Sequence, residues 1–154
     1  MHLEQFLKNR EVWFEVIKHR PTFTAQTTAR ALHIAADEVA KTILLRADGH
    51  DVLAVVPAGA SADLSAIKKL LKTDDVTLVY ESDLLAKFPD CEEGCLPPFG
   101  SQYGMQTVLD ESLSNEPEIV VEGNTHAEAI RIRYQDYVKL ERPLVANIVQ
   151  HLEV

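Results

Sequence analysis

An Asp48-Gly49 pair between two runs of β-forming residues is the feature that most constrains the fold of this chain. A two-residue hairpin turn of type I′ needs positive φ at both central positions, and Asp-Gly is among the few pairs that tolerate this. The flanking runs, 39–47 and 51–56, are rich in Val, Ile and Leu. The sequence therefore predicts an antiparallel hairpin whose register places Lys41 opposite Val56.

Further strand-like and helix-like segments surround this hairpin without a strict alternation of strand and helix. The β-rich runs predict five more strands, at 12–18, 76–80, 105–109, 118–122 and 127–133. Amphipathic spacing predicts helices near 2–10, 25–32, 62–71 and 134–140. Thr24 suits the N-cap of the second helix, and Pro143 suits the first turn of a last helix. The predicted fold class is α+β, with a mixed, barrel-like β-sheet of about seven strands and flanking helices.

Length and composition favour a single domain over residues 1–154. Apolar residues form 46% of the chain, which is enough to fill one core. No apolar run approaches the roughly 20 residues that span a bilayer, and the charged N-terminal segment is unlike a secretory signal. We therefore expect a cytoplasmic protein with no membrane contact. The net charge of −9 argues against broad wrapping of a nucleic acid but not against a grip on one end of it.

Lys41 is the charged residue that interrupts the first strand of the hairpin. Side chains alternate between the two faces of a strand, so Lys41 shares a face with Val39, Ile43 and Leu45. If this face is the core face, the ammonium lies at the open end of the hairpin, where it could reach the mouth of a cavity. If the opposite face is the core face, Lys41 is solvated. Both faces are apolar, so alternation alone leaves the two interpretations open.

The segment EEGCLPPFGSQYG, from Glu92 to Gly104, cannot form a helix and is a poor central strand. Its two adjacent prolines fix φ and lack an N–H group, and its three glycines allow a backbone to approach a ligand closely. Such a segment is either a rigid turn or a loop that binds a ligand.

His126 lies just before the predicted strand at 127–133, on the same side as Ile130 and Ile132. Its side chain therefore either projects into a pocket or lies at the edge of the core, hydrogen-bonded to a backbone carbonyl. No Ser-His-Asp set, Walker loop or dinucleotide fingerprint accompanies it.

The two cysteines, Cys91 and Cys95, are four residues apart. A disulfide is not expected in a reducing compartment. No further His or Cys follows closely enough to complete a zinc site. The sequence therefore predicts two free thiols in or under a loop, and no metal or cofactor.

Three features follow one another along the chain: Lys41 in VAKTILLRADG, the loop GCLPPFG, and His126 in GNTHAEAIRI. This order resembles the YbaK/EbsC family, which is related to the editing domain inserted in, or associated with, bacterial prolyl-tRNA synthetases. The resemblance runs from Phe23 to Leu140. It implies a mixed α+β fold around a barrel-like sheet. It also implies hydrolysis of the ester between a wrong amino acid and the 3′-terminal adenosine of a tRNA.

The resemblance implies roles for particular residues. Lys41 matches a lysine needed for deacylation, which engages the tRNA 3′ end or polar groups of the substrate. Gly100 matches the glycine that closes the family's Pro-Phe-Gly loop, whose backbone lines the reactive ester. His126 matches a histidine that helps form the amino-acid pocket in some members. The other positions implied to contact substrate are Thr22, Phe23, Thr24, Pro98, Phe99 and Ser101.

The loop departs from the family pattern Gly-Gly-x-Ser-Pro-Phe-Gly at two positions. Cys95 and Pro97 stand where the second glycine and the serine are expected. The frame of the loop is kept, and the choice of amino acid stays open. An aminoacyl ester is already activated, so a positioned water and backbone donors around the oxyanion would suffice, without a metal or a protein nucleophile.

The sequence therefore predicts a trans-editing aminoacyl-tRNA deacylase, with a tRNA(Pro)-type substrate carrying Ala or Cys as the first choice. The expected partners are the 3′ end of an aminoacyl-tRNA and, as a candidate, an aminoacyl-tRNA synthetase. One alternative is a catalytically silent module that uses the same pocket to bind a nucleotide, an amino acid or a partner protein. Another is a hydrolase of a small ester unrelated to tRNA. The oligomeric state stays open.

Overall fold

The structure, a computed structural model, describes residues 1–80, 88–92 and 95–150. The helices in this part of the chain are α1 (Leu3–Asn9), α2 (Ala25–Leu32), α3 (Leu64–Leu71) and α4 (Tyr134–Glu141). The strands are β1 (Phe14–Lys18), β2 (Ala40–Ala47), β3 (His50–Pro57), β4 (Ser61–Ala62), β5 (Val76–Leu78), β6 (Gln106–Asp110), β7 (Glu118–Glu122), β8 (Glu128–Arg133), β9 (Leu144–Ala146) and β10 (Val149–Gln150). Short 3-10 turns span Ala36–Glu38, Gly100–Tyr103 and Glu111–Asn115. None of the described helices is long and apolar enough to cross a membrane.

The described strands form three sheets. The largest has the order β5-β2-β3-β6-β9, antiparallel from β5 to β3 and parallel from β3 to β9. A second, antiparallel sheet has the order β1-β8-β7, and β10 pairs with β4. The predicted α+β class is confirmed. The prediction of one barrel-like sheet of about seven strands needs correction, because ten strands are divided among three sheets and the described residues close no barrel.

The β2–β3 hairpin forms in the predicted register. Asp48 and Gly49 have φ values of 50° and 79°, as a two-residue hairpin turn requires. Lys41 pairs with Val56. The predicted cap of α2 is also confirmed, because the Thr24 side chain accepts a hydrogen bond from the amide of Thr27.

The large sheet is covered by apolar side chains on both faces, and this determines where Lys41 lies. On one face, Leu44 packs in a cluster of buried residues with Leu53. On the other face, Leu45 packs in a cluster with Ile67 of α3. Because side chains alternate, Lys41 shares the face of Leu45. Lys41 therefore lies on the face of the hairpin that packs against α3, near the open end of the hairpin.

The helix predicted after Pro143 is wrong. The residues there form β9, which pairs in parallel with β6, and β10, which pairs with β4. The amide of Ile148, between the two strands, donates a 2.9 Å hydrogen bond to the buried Asp110 carboxylate. The open edge of β6 offers backbone donors and acceptors to a segment rich in β-branched residues, and this outweighs the helical spacing.

Candidate functional site

Lys41 lines a cleft of about 400 Å³ between the open end of the hairpin and the start of α3. The polar residues around this cleft include Ser61, Asp63, Ser65 and Gln150. Burial lowers the pKa of the Lys41 ammonium. It forms no ion pair with any residue in the described ranges. The cleft therefore presents a partly desolvated cation to any anionic or carbonyl group that enters.

Phe23 and His126 form an aromatic pair at the start of α2. Their ring centroids are 4.7 Å apart, and the apolar Phe23 ring is 74% exposed. The segment before α2 is tied to His126 by two hydrogen bonds. The Thr22 amide donates to the His126 carbonyl at 2.9 Å, and His126 Nδ1 lies 2.8 Å from the Thr22 carbonyl oxygen. An exposed ring held in this way can stack on a nucleobase.

The Thr22 carbonyl fixes the tautomer of neutral His126. A carbonyl only accepts hydrogen bonds, so Nδ1 carries the proton and the lone pair is on Nε2. Nε2 lies 3.8 Å from Glu92 Oε2, and Nδ1 lies 3.2 Å from Cys95 Sγ. His126 is therefore bonded to a backbone carbonyl, as one of the two sequence-based interpretations has it, and its Nε2 atom faces Glu92.

Glu122 is a buried carboxyl group behind this pair that the sequence reasoning missed. Thr28 Oγ1 donates to Glu122 Oε1 at 3.1 Å, and the Thr28 and Thr22 hydroxyls are 2.7 Å apart. Glu122 Oε2 has no hydrogen-bond partner among the described residues. Burial raises the pKa of Glu122 to about 7, against the smaller opposing effects of the Thr28 hydrogen bond and His126. Strand alternation was the available signal, since it places Glu122 on the same face as the buried Val120.

The Pro98–Ser101 segment is anchored in the core. Phe99 is fully buried, and its ring centroid lies 5.2 Å from those of Phe6 and Tyr137. The Tyr137 hydroxyl donates a 2.6 Å hydrogen bond to the Pro98 carbonyl. The Phe99 side chain thus supports the loop from below, while Ser101 is exposed.

Gly100 is required for close packing rather than for an unusual backbone angle. A Cβ atom there would lie 2.6 Å from Thr107 Oγ1 and 3.0 Å from the Met105 carbonyl oxygen. The Gly100 amide donates a 3.1 Å hydrogen bond to that same Thr107 hydroxyl. A ligand carbonyl could accept from this amide only by displacing the Thr107 hydroxyl.

The three family positions do not meet in one cavity among the described residues. Gly100 packs towards Leu53, on the face of the large sheet opposite to Lys41. His126 contacts Cys95 at the start of the same loop. The loop and His126 therefore form one region and the Lys41 cleft forms another. Gly94 of the family pattern lies outside the described residues.

The two cysteines form no disulfide with each other, and among the described residues they have different neighbours. Cys91 lies 3.7 Å from the Tyr103 hydroxyl and 3.5 Å from the Asn124 amide nitrogen. Cys95 is buried beside His126. Each cysteine thus faces residues that are distant along the chain.

Comparison with protein families matches residues 19–140 to the model of the aminoacyl-tRNA editing domain. The chain belongs to this family. The matched range includes Lys41, Gly100 and His126. The resemblance seen in the sequence is therefore confirmed at the level of the family.

Solved structures with little sequence identity share the fold of this editing domain. The protein APE2540 aligns with a TM-score of 0.88 at 18% identity, over 97% of this chain and 100% of its own. A candidate trans-editing enzyme for prolyl tRNA synthetase aligns with a TM-score of 0.85 at 20% identity, over 97% and 96% of the two chains. A protein from work on epitope backbone grafting aligns with a TM-score of 0.85 at 22% identity, over 98% and 96%. No curated protein matches the chain in sequence.

Proposed function

We propose that this editing domain is a trans-editing hydrolase that cleaves the ester bond of a mischarged aminoacyl-tRNA. The observation that carries the proposal is the contact between the exposed Phe23 ring and His126, which lies within the family match and beside the Cys95–Gly100 loop. A tRNA(Pro) carrying Ala or Cys is the first substrate to test. The likeness to a candidate trans-editing enzyme for prolyl tRNA synthetase supports that choice.

In the proposed reaction, water attacks the carbonyl carbon of the ester and an oxyanion forms. The bond between this carbon and the ribose oxygen then breaks, and the ribose oxygen takes up a proton from the attacking water. The products are a free amino acid and a tRNA with a free terminal hydroxyl. The ester is reactive enough for the protein to act mainly by positioning it and by stabilising the oxyanion.

The proposed contacts divide between the two regions of the fold. The terminal adenine stacks on the Phe23 ring, and the amino acid lies against His126 and the loop. Lys41 engages a phosphate or another polar group of the tRNA 3′ end from its own cleft. The net charge of −9 supports contact with only a few phosphates, so binding should be weak unless a synthetase helps to hold the tRNA.

The test is release of free amino acid from Ala-tRNA(Pro), Cys-tRNA(Pro) and Ser-tRNA(Ala). We expect turnover of at least one of these, reduced by about 100-fold in Lys41→Ala. Lys18→Ala is the matched control, because Lys18 is an exposed lysine on a strand outside both regions. Turnover at the spontaneous rate by folded protein, or equal rates in Lys41→Ala and wild type, would contradict the proposal.

The second candidate function is a catalytically silent binding module. The hydrogen bond between the Gly100 amide and Thr107 favours it, because that donor is already engaged. A silent module would bind adenosine or an amino acid in a Phe23-dependent way and release nothing from any of the three charged tRNAs. Release of amino acid would exclude it.

A further inference from the structure

Glu92, Cys95 and His126 bring a carboxylate, a thiol and an imidazole together. One potential ligand atom from each residue lies within 4.8 Å of the other two. Cys95 is fully buried, the His126 side chain is 14% exposed and that of Glu92 is 52% exposed. The cluster therefore runs from the core to the surface, and an ion could enter it from solvent.

Backbone hydrogen bonds hold the three residues in place. The Cys95 amide donates to the Glu92 carbonyl at 3.0 Å, and the His126 amide donates to Glu92 Oε2 at 3.2 Å. The Thr22 carbonyl lies 2.8 Å from His126 Nδ1 and leaves the lone pair on Nε2. A backbone carbonyl on one ring nitrogen, with the lone pair free on the other, is the usual arrangement around a histidine that binds a metal.

We propose that Glu92, Cys95 and His126 bind a Zn²⁺ ion, through a carboxylate oxygen, the Sγ thiolate and Nε2. Thiolate, imidazole and carboxylate are the three side-chain ligands that zinc takes in proteins. A tetrahedral zinc ion with bonds of about 2.0–2.3 Å separates its ligand atoms by about 3.3–3.6 Å. Nε2 lies 3.8 Å from Glu92 Oε2, whereas Cys95 Sγ lies 3.2 Å from Nδ1, so the Cys95 side chain must rotate towards Nε2 for the three atoms to share one ion.

The proposed site has three protein ligands and therefore an open fourth position. Zinc sites of this kind hold a water molecule or a substrate group there, whereas purely structural zinc sites have four protein ligands. His126 also packs against the exposed Phe23 ring, so a group of a ligand stacked on that ring could occupy the fourth position. This inference goes beyond the proposed editing activity, which needs no metal.

Titration of the full chain with Co²⁺, a spectroscopic substitute for zinc, tests the proposal directly. We expect one ion per chain, a thiolate-to-metal charge-transfer band in the near ultraviolet, and loss of that band when Zn²⁺ displaces Co²⁺. Binding of Zn²⁺ should release about one proton near neutral pH, because the Cys95 thiol ionises.

Three variants and one matched control locate the site. Cys95→Ser should abolish the charge-transfer band, and His126→Gln should weaken binding by about 100-fold. Glu92→Gln changes a half-exposed side chain, so the fold should persist while affinity falls by about 10-fold. Cys91→Ser is the control, because it removes a thiol four residues away that faces Tyr103 instead.

The proposal would be overturned by folded wild-type protein that shows no charge-transfer band, or by a band that Cys91→Ser removes and Cys95→Ser retains. Co²⁺ affinity that is the same in wild type, Glu92→Gln and His126→Gln would also overturn it. The titration uses no tRNA, so its outcome is independent of whether the chain deacylates any of the three charged tRNAs.

Discussion

The Thr107 hydroxyl accepts a hydrogen bond from the Gly100 amide at 3.1 Å and donates one to the Glu141 carboxylate at 2.6 Å. The same carboxylate accepts hydrogen bonds from the Ser101 amide and hydroxyl. The end of the loop is therefore joined to β6 and to the end of α4. This network anchors the end of the loop to the core of the fold.

Gly100→Ala should destabilise the protein, because the new Cβ atom would lie 2.6 Å from Thr107 Oγ1 and 3.0 Å from the Met105 carbonyl. We expect the free energy of unfolding to fall by about 1–3 kcal/mol in urea titrations, with loss of the proposed editing activity. Gly59→Ala is the control, since its Cβ atom would meet Ala36 Cβ at an ordinary 3.5 Å. Equal stability of Gly100→Ala and wild type would show that this packing is not tight.

Glu141→Ala should leave the Ser101 amide and the Thr107 hydroxyl without their acceptor. The expected loss is about 2–3 kcal/mol in the free energy of unfolding, because these donors form charge-assisted bonds. Glu141→Gln should lose less, since its amide oxygen can still accept a hydrogen bond. Lys139→Ala, an exposed change in the same helix, should alter stability by less than about 0.5 kcal/mol. A loss as small as in this control would contradict the role given to the network.

Glu122 should make stability fall as the pH rises towards neutrality. Burial raises its pKa from 4.5 to about 7, so the folded protein keeps a proton that the unfolded chain has already released. The stabilisation is complete below pH 4.5, is lost as the pH rises through 7, and amounts to about 3 kcal/mol. Glu122→Gln should therefore be more stable than wild type at about pH 8 and should lose this advantage as the pH falls.

Urea titrations of wild type and Glu122→Gln between about pH 5 and pH 8 measure this difference directly. Glu111→Gln is the control, because Glu111 is an exposed carboxylate that contacts neither Glu122 nor Thr28. A difference between Glu122→Gln and wild type that stays constant across this range would disprove the shift. Thr28 and His126 also influence the Glu122 carboxylate, so their substitutions should move the midpoint of the transition.

Phe23→Ala should impair ligand binding while leaving the fold intact, because the ring is exposed and its described ring contact is with His126. Loss of one stacked base corresponds to about 1–3 kcal/mol, so the Kd for adenosine monophosphate should rise by about 10-fold to 100-fold. Tyr80→Ala removes an exposed aromatic ring elsewhere and should change nothing. An unchanged Kd in Phe23→Ala would show that the adenine does not stack on the Phe23 ring.

The parts of the fold that depend on local chemistry were predictable from the sequence. The Asp48-Gly49 turn determines the hairpin register, and the Thr24 hydroxyl determines where α2 begins. The surroundings of Lys41 were not predictable, because both faces of the sheet are apolar. One face is covered by α3 and the other by the loop, and the sequence does not say which covers which. The segment after Pro143 was mispredicted because its strands depend on β4 and β6, which are distant in sequence.

The candidate site was predictable only in part. The family resemblance pointed to Lys41, Gly100 and His126, which the structure places in two separate regions. The Glu92–Cys95–His126 cluster could not be found from spacing, because its thiol and its imidazole are 31 positions apart in the sequence. Strand alternation places Glu122 on a buried face, but its contact with Thr28 of α2 comes from a distant part of the chain and could not be predicted.

The hydrogen bonds from Tyr137 to Pro98 and from Ser101 to Glu141 mean that the loop is not a transferable module. Residues 95–101 transplanted into another scaffold should not keep this conformation unless α4 is transplanted with them. A mutational screen for activity should likewise recover substitutions in that helix, at positions where no substrate atom arrives. Attempts to alter the substrate preference of the proposed reaction should therefore keep this helix unchanged.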